Sequence, residues 1–189
     1  GPITFADATT TWSATEPLTG MLAHAVAVGD VNADGWMDLF VGTFADRPDA
    51  EYAVRGATGP RPDQLLLGGP DGFTADERFP GQQGRSSGAA FADLDGDGAL
   101  DLVVARNVRD APRSDAPTEV LRNVGTGAFE RAAVLDAPTG ARAIGLLDFD
   151  ADGLTDLFVL EDRWTGASSV LWHNEGGFRF RGVALLSGC

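Results

Sequence analysis

Three acidic nonapeptides carry whatever chemistry this chain can do. They run Asp30-Val-Asn-Ala-Asp-Gly-Trp-Met-Asp38, Asp93-Leu-Asp-Gly-Asp-Gly-Ala-Leu-Asp101 and Asp148-Phe-Asp-Ala-Asp-Gly-Leu-Thr-Asp156. All fit D-x-[DN]-x-D-G-x-x-D. Side-chain oxygens at positions 1, 3 and 5, a backbone carbonyl at 7 and a carboxylate at 9 can surround one Ca²⁺, a hard ion that prefers oxygen. Glycine at position 6 permits the sharp turn, because it tolerates positive φ. One copy would be a modest signal. Three copies in matching surroundings point to a repeat protein that binds calcium.

Signals for catalysis are thin. His24 and His173 are the only histidines, and each reads as a structural or surface residue rather than a general base. No nucleophile elbow or zinc-protease helix motif occurs. The paired carboxylates are committed to metal, so no catalytic residue is assigned. Trp36, Trp164 and Trp172 read as packing residues. Trp164, in a connection between strands, is the best candidate for stacking on a sugar.

The flanks of the acidic loops exclude an EF-hand, which has helices on both sides and Glu at position 12. Position 12 is Val41, Val104 or Val159. The flanking runs, His24–Gly29 and Asp38–Gly42, Ala89–Ala92 and Asp101–Ala105, Ala143–Leu147 and Asp156–Leu160, are short and rich in Val, Leu and Phe. That is the composition of buried strands. Each acidic loop therefore joins two antiparallel strands, A and B. A third run follows at Gln64–Leu67, Glu119–Leu121 and Ser169–Trp172. A Gly-rich turn then leads to a fourth run opening at Phe73, Phe129 or Phe178. Four antiparallel strands, repeated, are the signature of a β-propeller blade. The expected fold class is all-β.

The spacing sets the organisation. From the fourth-strand Phe to the next acidic loop is 20 residues (Phe73 to Asp93) or 19 (Phe129 to Asp148), and Phe5 precedes Asp30 by 25. Residues 1–2 read as a protease-cleavage scar from an expression tag. Residues 3–9 read as the outer strand of an incomplete blade, 10–80 as blade 1, 81–135 as blade 2, and 136–189 as blade 3 with the start of the next connection. Three blades and one strand fall short of a closed ring. The expected partners are thus a complementing chain, further copies of this chain, or a propeller segment elsewhere in a longer protein. Cys189 reads as an arbitrary end or as half of a disulfide.

Blade length varies between strands B and C, chiefly in residues 43–61. Such connections on a rigid scaffold are where binding concentrates. Arg47, Arg55, Arg163 and Trp164 are the candidate ligand-binding residues. Nine arginines (Arg47, Arg55, Arg61, Arg85, Arg106, Arg109, Arg113, Arg142 and Arg163) map to the end opposite the acidic loops, interspersed with acids, and read as a solvated mixed surface.

The net charge of −14 is mostly local: the three loops hold 11 of the 28 acidic residues. No basic stripe suggests nucleic acid, and no apolar run approaches the length of a membrane span. Weak Ca²⁺ sites of this kind suit extracellular, cell-surface or periplasmic fluid. Loop 1 carries Asn32 where the others have Asp95 and Asp150. With one charge fewer, it is expected to bind Ca²⁺ most weakly. The repulsion within each loop is expected to have no protein cation to offset it.

At these motifs, Val26–Gly42 above all, the chain resembles the FG-GAP/VCBS repeat family, the blades of integrin α-subunit propellers and many secreted bacterial proteins. Phe5–Thr9 also resembles the start of ASPIC/UnbV-type, cartilage acidic protein-like propellers. The resemblance implies three Ca²⁺ sites. The first is Asp30, Asn32, Asp34, the Trp36 carbonyl and Asp38. The second is Asp93, Asp95, Asp97, the Ala99 carbonyl and Asp101. The third is Asp148, Asp150, Asp152, the Leu154 carbonyl and Asp156. It implies a calcium-stabilised module for extracellular protein or glycan interaction. The alternative is the scaffold of a secreted enzyme whose catalytic residues lie outside this chain.

Overall fold

The computed structural model describes residues 4, 6, 20–56, 59–107, 117–135, 140–161 and 168–183. They form three four-stranded antiparallel sheets, each a simple up-and-down meander. Sheet 1 contains β1 (Ala23–Gly29), β2 (Asp38–Thr43), β3 (Gln64–Leu67) and β4 (Thr74–Ala75). Sheet 2 contains β5 (Ser86–Ala92), β6 (Asp101–Arg106), β7 (Glu119–Asn123) and β8 (Phe129–Val134). Sheet 3 contains β9 (Ala141–Leu147), β10 (Asp156–Glu161), β11 (Val170–Asn174) and β12 (Phe180–Val183). The first strands stack in order, β1 against β5 and β5 against β9.

The apolar B runs are continuous because these strands are covered on both faces. Every residue of β6 is buried. One core, between sheets 1 and 2, joins Phe40 and Leu65 to Leu102, Val104, Leu121 and Phe129. A second, between sheets 2 and 3, joins Val103, Ala105 and Val120 to Leu157, Val159 and Trp172. β5 and β9 approach closely at Gly88, where an added Cβ would stand 2.9 Å from the Ala143 Cα. Trp172 belongs to the second core, whereas Trp36 is partly exposed.

Three features depart from the sequence expectation. Residues 43–61 hold a helix, α1 (Pro48–Val54), with Pro48 in its first turn beside Asp49 and Glu51. Pro and acids there match the helix's open N–H groups and dipole. The fourth strand of sheet 3 opens at Phe180, not Phe178, because Phe178 sits in the turn at φ 59°. The fourth strand of sheet 1 is only two residues long. Arg163, Trp164, Arg109, Arg113, Cys189 and most of the expected strand over residues 3–9 lie outside the described residues. The described residues are all-β with one helix, and they do not close a ring.

Candidate metal loops

The three acidic loops share one backbone frame. Position 6 is left-handed in each, with φ of 90°, 88° and 89° at Gly35, Gly98 and Gly153. Position 4 is left-handed too, at Ala33, Gly96 and Ala151. Two of those are alanines in a conformation that costs an L-residue about 1–2 kcal/mol, so the loop's own bonds must hold them there.

Those bonds repeat. The position-1 carboxylate accepts the position-6 N–H: Gly35 to Asp30 (2.9 Å), Gly98 to Asp93 (3.0 Å) and Gly153 to Asp148 (3.1 Å). The position-5 carboxylate accepts the position-7 N–H: Trp36 to Asp34, Ala99 to Asp97 and Leu154 to Asp152. The backbone donors turn the carboxylates toward one another. Asp148, Asp150 and Asp152 gather as one cation-competent group, and Asp93, Asp95 and Asp101 as another. Asn32 alters loop 1, where its amide donates to Asp34 (2.9 Å).

The position-9 aspartates, Asp38, Asp101 and Asp156, are wholly buried. Each clamps its own loop. One oxygen accepts the position-2 N–H, from Val31, Leu94 or Phe149 at 2.8–3.0 Å. The other accepts an N–H from the end of the third strand, Gly68, Asn123 or Asn174. In Asp38 and Asp101 a second lone pair on each oxygen remains for a cation, whereas the Asp156 oxygen that accepts from Asn174 also meets His173 Nδ1 at 3.2 Å. Burial pushes Asp101 up to about 6, with Asp95 and Asp97 adding to the rise and the two N–H bonds opposing it. Burial likewise raises Asp38. Burial is also the largest influence on Asp156. There the N–H groups of Asn174 and Phe149 and the His173 imidazole together outweigh it and hold the carboxyl below its ordinary value.

Asn123 and Asn174 then tie each sheet to the one before. The Asn123 amide donates to the Val31 carbonyl in loop 1 (2.7 Å), and the Asn174 amide to the Leu94 carbonyl in loop 2 (2.8 Å). Sheet 1 has Gly68 at this position, and an added Cβ there would stand 2.2 Å from the Met37 carbonyl oxygen.

The preceding residue on the third strand differs in each sheet: Leu67, Arg122 or His173. Arg122 reaches Asp95 (3.2 Å) and Asp97 (3.1 Å). The bond to Asp97 is the main cause of the upward shift of the guanidinium. The expectation that no protein cation offsets the loop charge is therefore wrong for loop 2. Arg122 restores loop 2 to the same net charge as loop 1, which removes the electrostatic reason to rank loop 1 weakest. Replacing Arg122 by the Leu found in loop 1 should tighten Ca²⁺ binding at loop 2 by about two- to fivefold, the range of an exposed charge pair. Calorimetric titration reads this directly. Equal or weaker uptake would show that Arg122 does not compete with the cation.

At the opposite end, the nine-arginine surface is not all surface. Arg85 and Arg106 are buried. Arg85 pairs with Asp46 and lies over the Phe44 ring at 4.5 Å, which also stacks on His24. A cleft of about 460 Å³ beside α1 is lined by Arg47, Tyr52, Arg61 and Arg85 among others, but not by Arg55. The buried Tyr52 hydroxyl has no hydrogen-bond partner among the described residues.

No protein-family model matches the chain. Among characterised proteins it is 33% identical over 161 residues to integrin alpha-IIb of Homo sapiens, an alignment covering 76% of this chain. The chain spans about 15% of that relative's length. This similarity and the three antiparallel sheets fit a propeller-like all-β fold, and the acidic clusters are compatible with metal binding. No helix among the described residues is long and apolar enough to cross a membrane.

Proposed function

We propose that this chain is a Ca²⁺-stabilised propeller module of the FG-GAP/VCBS type that works outside the cell and binds a protein or a glycan. The observation that carries the reading is the repeated loop frame. Three loops, far apart in sequence, use the same pairs of N–H donors to crowd carboxylates that a hard cation would neutralise. Similarity to an integrin alpha chain supports the extracellular setting and a protein partner. Asp30, Asn32, Asp34 and Asp38, Asp93, Asp95, Asp97 and Asp101, and Asp148, Asp150, Asp152 and Asp156 supply the side-chain ligands. The carbonyls of Trp36, Ala99 and Leu154 complete the sets. Bound Ca²⁺ supplies positive charge and orders the loops. The cleft beside α1, with Arg47 at its rim, is the proposed contact surface for the partner.

Native mass spectrometry of the chelator-stripped protein, with Ca²⁺ added back, should show three ions per chain. The double variant Asp93→Ala, Asp97→Ala should show two. A stripped protein that takes up no Ca²⁺ ends this reading. A captured ligand should be lost when residues 48–55 are replaced by a short Gly-Ser link, with the Ca²⁺-dependent melt unchanged. Undiminished binding would place the contact surface elsewhere.

A further inference from the structure

Loop 3 differs from its two counterparts in one donor. His173 stands where sheet 1 has Leu67 and sheet 2 has Arg122. Its Nδ1 lies 3.2 Å from an Asp156 oxygen and 3.6 Å from an Asp150 oxygen. The three residues form a second cation-competent group that shares Asp150 with the Asp148–Asp152 set. The ring is packed edge-on against Phe149, with centroids 5.5 Å apart. Its side chain is only 15% exposed, so the imidazole is held against the carboxylates rather than free to swing into solvent.

We propose that loop 3 is a site for a divalent first-row transition ion of the Mn²⁺, Co²⁺, Ni²⁺ or Zn²⁺ class, held by His173 Nδ1, Asp150 and Asp156, whereas loops 1 and 2 offer oxygen alone. The proposal deepens the metal-loop reading above and rests on these loops being cation sites. Two arguments carry it. Imidazole is a poor ligand for Ca²⁺ and a good one for these ions, so adding a nitrogen to an oxygen set changes which cation it prefers. The spacing also fits. Two ligand atoms each about 2.0–2.2 Å from one ion stand roughly 2.9–3.6 Å apart at tetrahedral or octahedral angles, which spans both His173 separations. Coordination through Nδ1 places the ring proton on Nε2. Asp156 is oriented by the N–H of Asn174, on the oxygen that faces His173, and by the N–H of Phe149 on its other oxygen. Such outer donors fix first-rank metal ligands and strengthen binding.

The test uses the whole chain, stripped of metal and titrated with ZnCl₂ or with CaCl₂. Wild type should bind one Zn²⁺ tightly. Long-range ¹H–¹⁵N spectra should show the Nδ1 resonance of His173 shifting, with His24, the other histidine, as internal control. His173→Leu, which copies loop 1, should weaken the tight Zn²⁺ event by about tenfold or more and leave the number of Ca²⁺ ions bound unchanged. His173→Gln guards against a packing artefact and should behave the same way. Zn²⁺ affinity unchanged in both variants, or no shift at His173, overturns the proposal even if Ca²⁺ fills all three loops. Zn²⁺ bound through His173 with no Ca²⁺ bound anywhere would sustain this inference and end the calcium reading instead.

Discussion

Removing Ca²⁺ is expected to lower the melting temperature of this chain by about 10–25 °C. Each filled site adds RT ln(1 + [L]/Kd), about 1.4–2.7 kcal/mol at ten to a hundred times Kd. In a chain of this size each kcal/mol moves the melt by about 2–4 °C. The structural cause is the position-9 aspartate. Asp38, Asp101 and Asp156 are wholly buried, Asp38 beside Asp34 and Asp30, Asp101 beside Asp93 and Asp95, and Asp156 beside Asp150. Without a cation, two N–H bonds apiece must hold a buried charge near other negative charge. The pH dependence has a definite sign. The folded carboxyl of Asp101 is raised to about 6. Its contribution to stability is therefore full below its unfolded value and is lost as pH rises through about 6. Asp156 is held low, so it changes little above about pH 5. The metal-free protein should then lose more stability at pH 7 than at pH 5. Scanning calorimetry with and without chelator at both pH values checks this. An unchanged melt in protein shown to be metal-free by elemental analysis would refute it.

What the sequence revealed here was local, and what it hid was distant. The acidic loops are readable because their internal bonds span only two to seven residues, so the positions of Asp30, Asp34 and Gly35 are fixed by spacing alone. The flanking strands are readable because β2, β6 and β10 are apolar on both faces. The ties between sheets are not readable in that way. Asn123 reaches a carbonyl 92 residues earlier, and Asn174 one 80 residues earlier. A trace existed in the recurrence of Asn two residues before Gly125 and Gly176, where the Asn side chain also accepts the Gly N–H. Gly68 breaks that pattern in the first sheet. Arg122 and His173 stayed hidden for the same reason: only the third strand's register against the second aims them at the loop. The helix α1 did carry a start signal, Pro48 with Asp49 and Glu51, masked by the surrounding Gly and Pro of residues 43–61.

The other large effect is expected from Arg106→Ala, at the end of the sheets away from the acidic loops. Arg106 is 2% exposed and donates to both Asp63 (2.7 Å) and Glu119 (2.7 Å), which are themselves buried. Asp63 also accepts the Thr43 N–H and the Ser86 hydroxyl, so this one guanidinium fastens the second strand of sheet 1 to three strands of sheet 2. Arg131 covers only the outer oxygen of Glu119. Truncation leaves two buried carboxylates short of their cation, and breaking such a pair from one side costs about 3–5 kcal/mol. With Ca²⁺ saturating, the melt should fall by about 6–20 °C. Arg106→Lys should recover only part of this, because an ammonium is a compact charge that cannot span two carboxylates as the planar fork does. A loss below about 1 kcal/mol in urea unfolding would mean that the junction between sheets 1 and 2 is held by the Phe40–Leu102–Phe129 core and not by these charges.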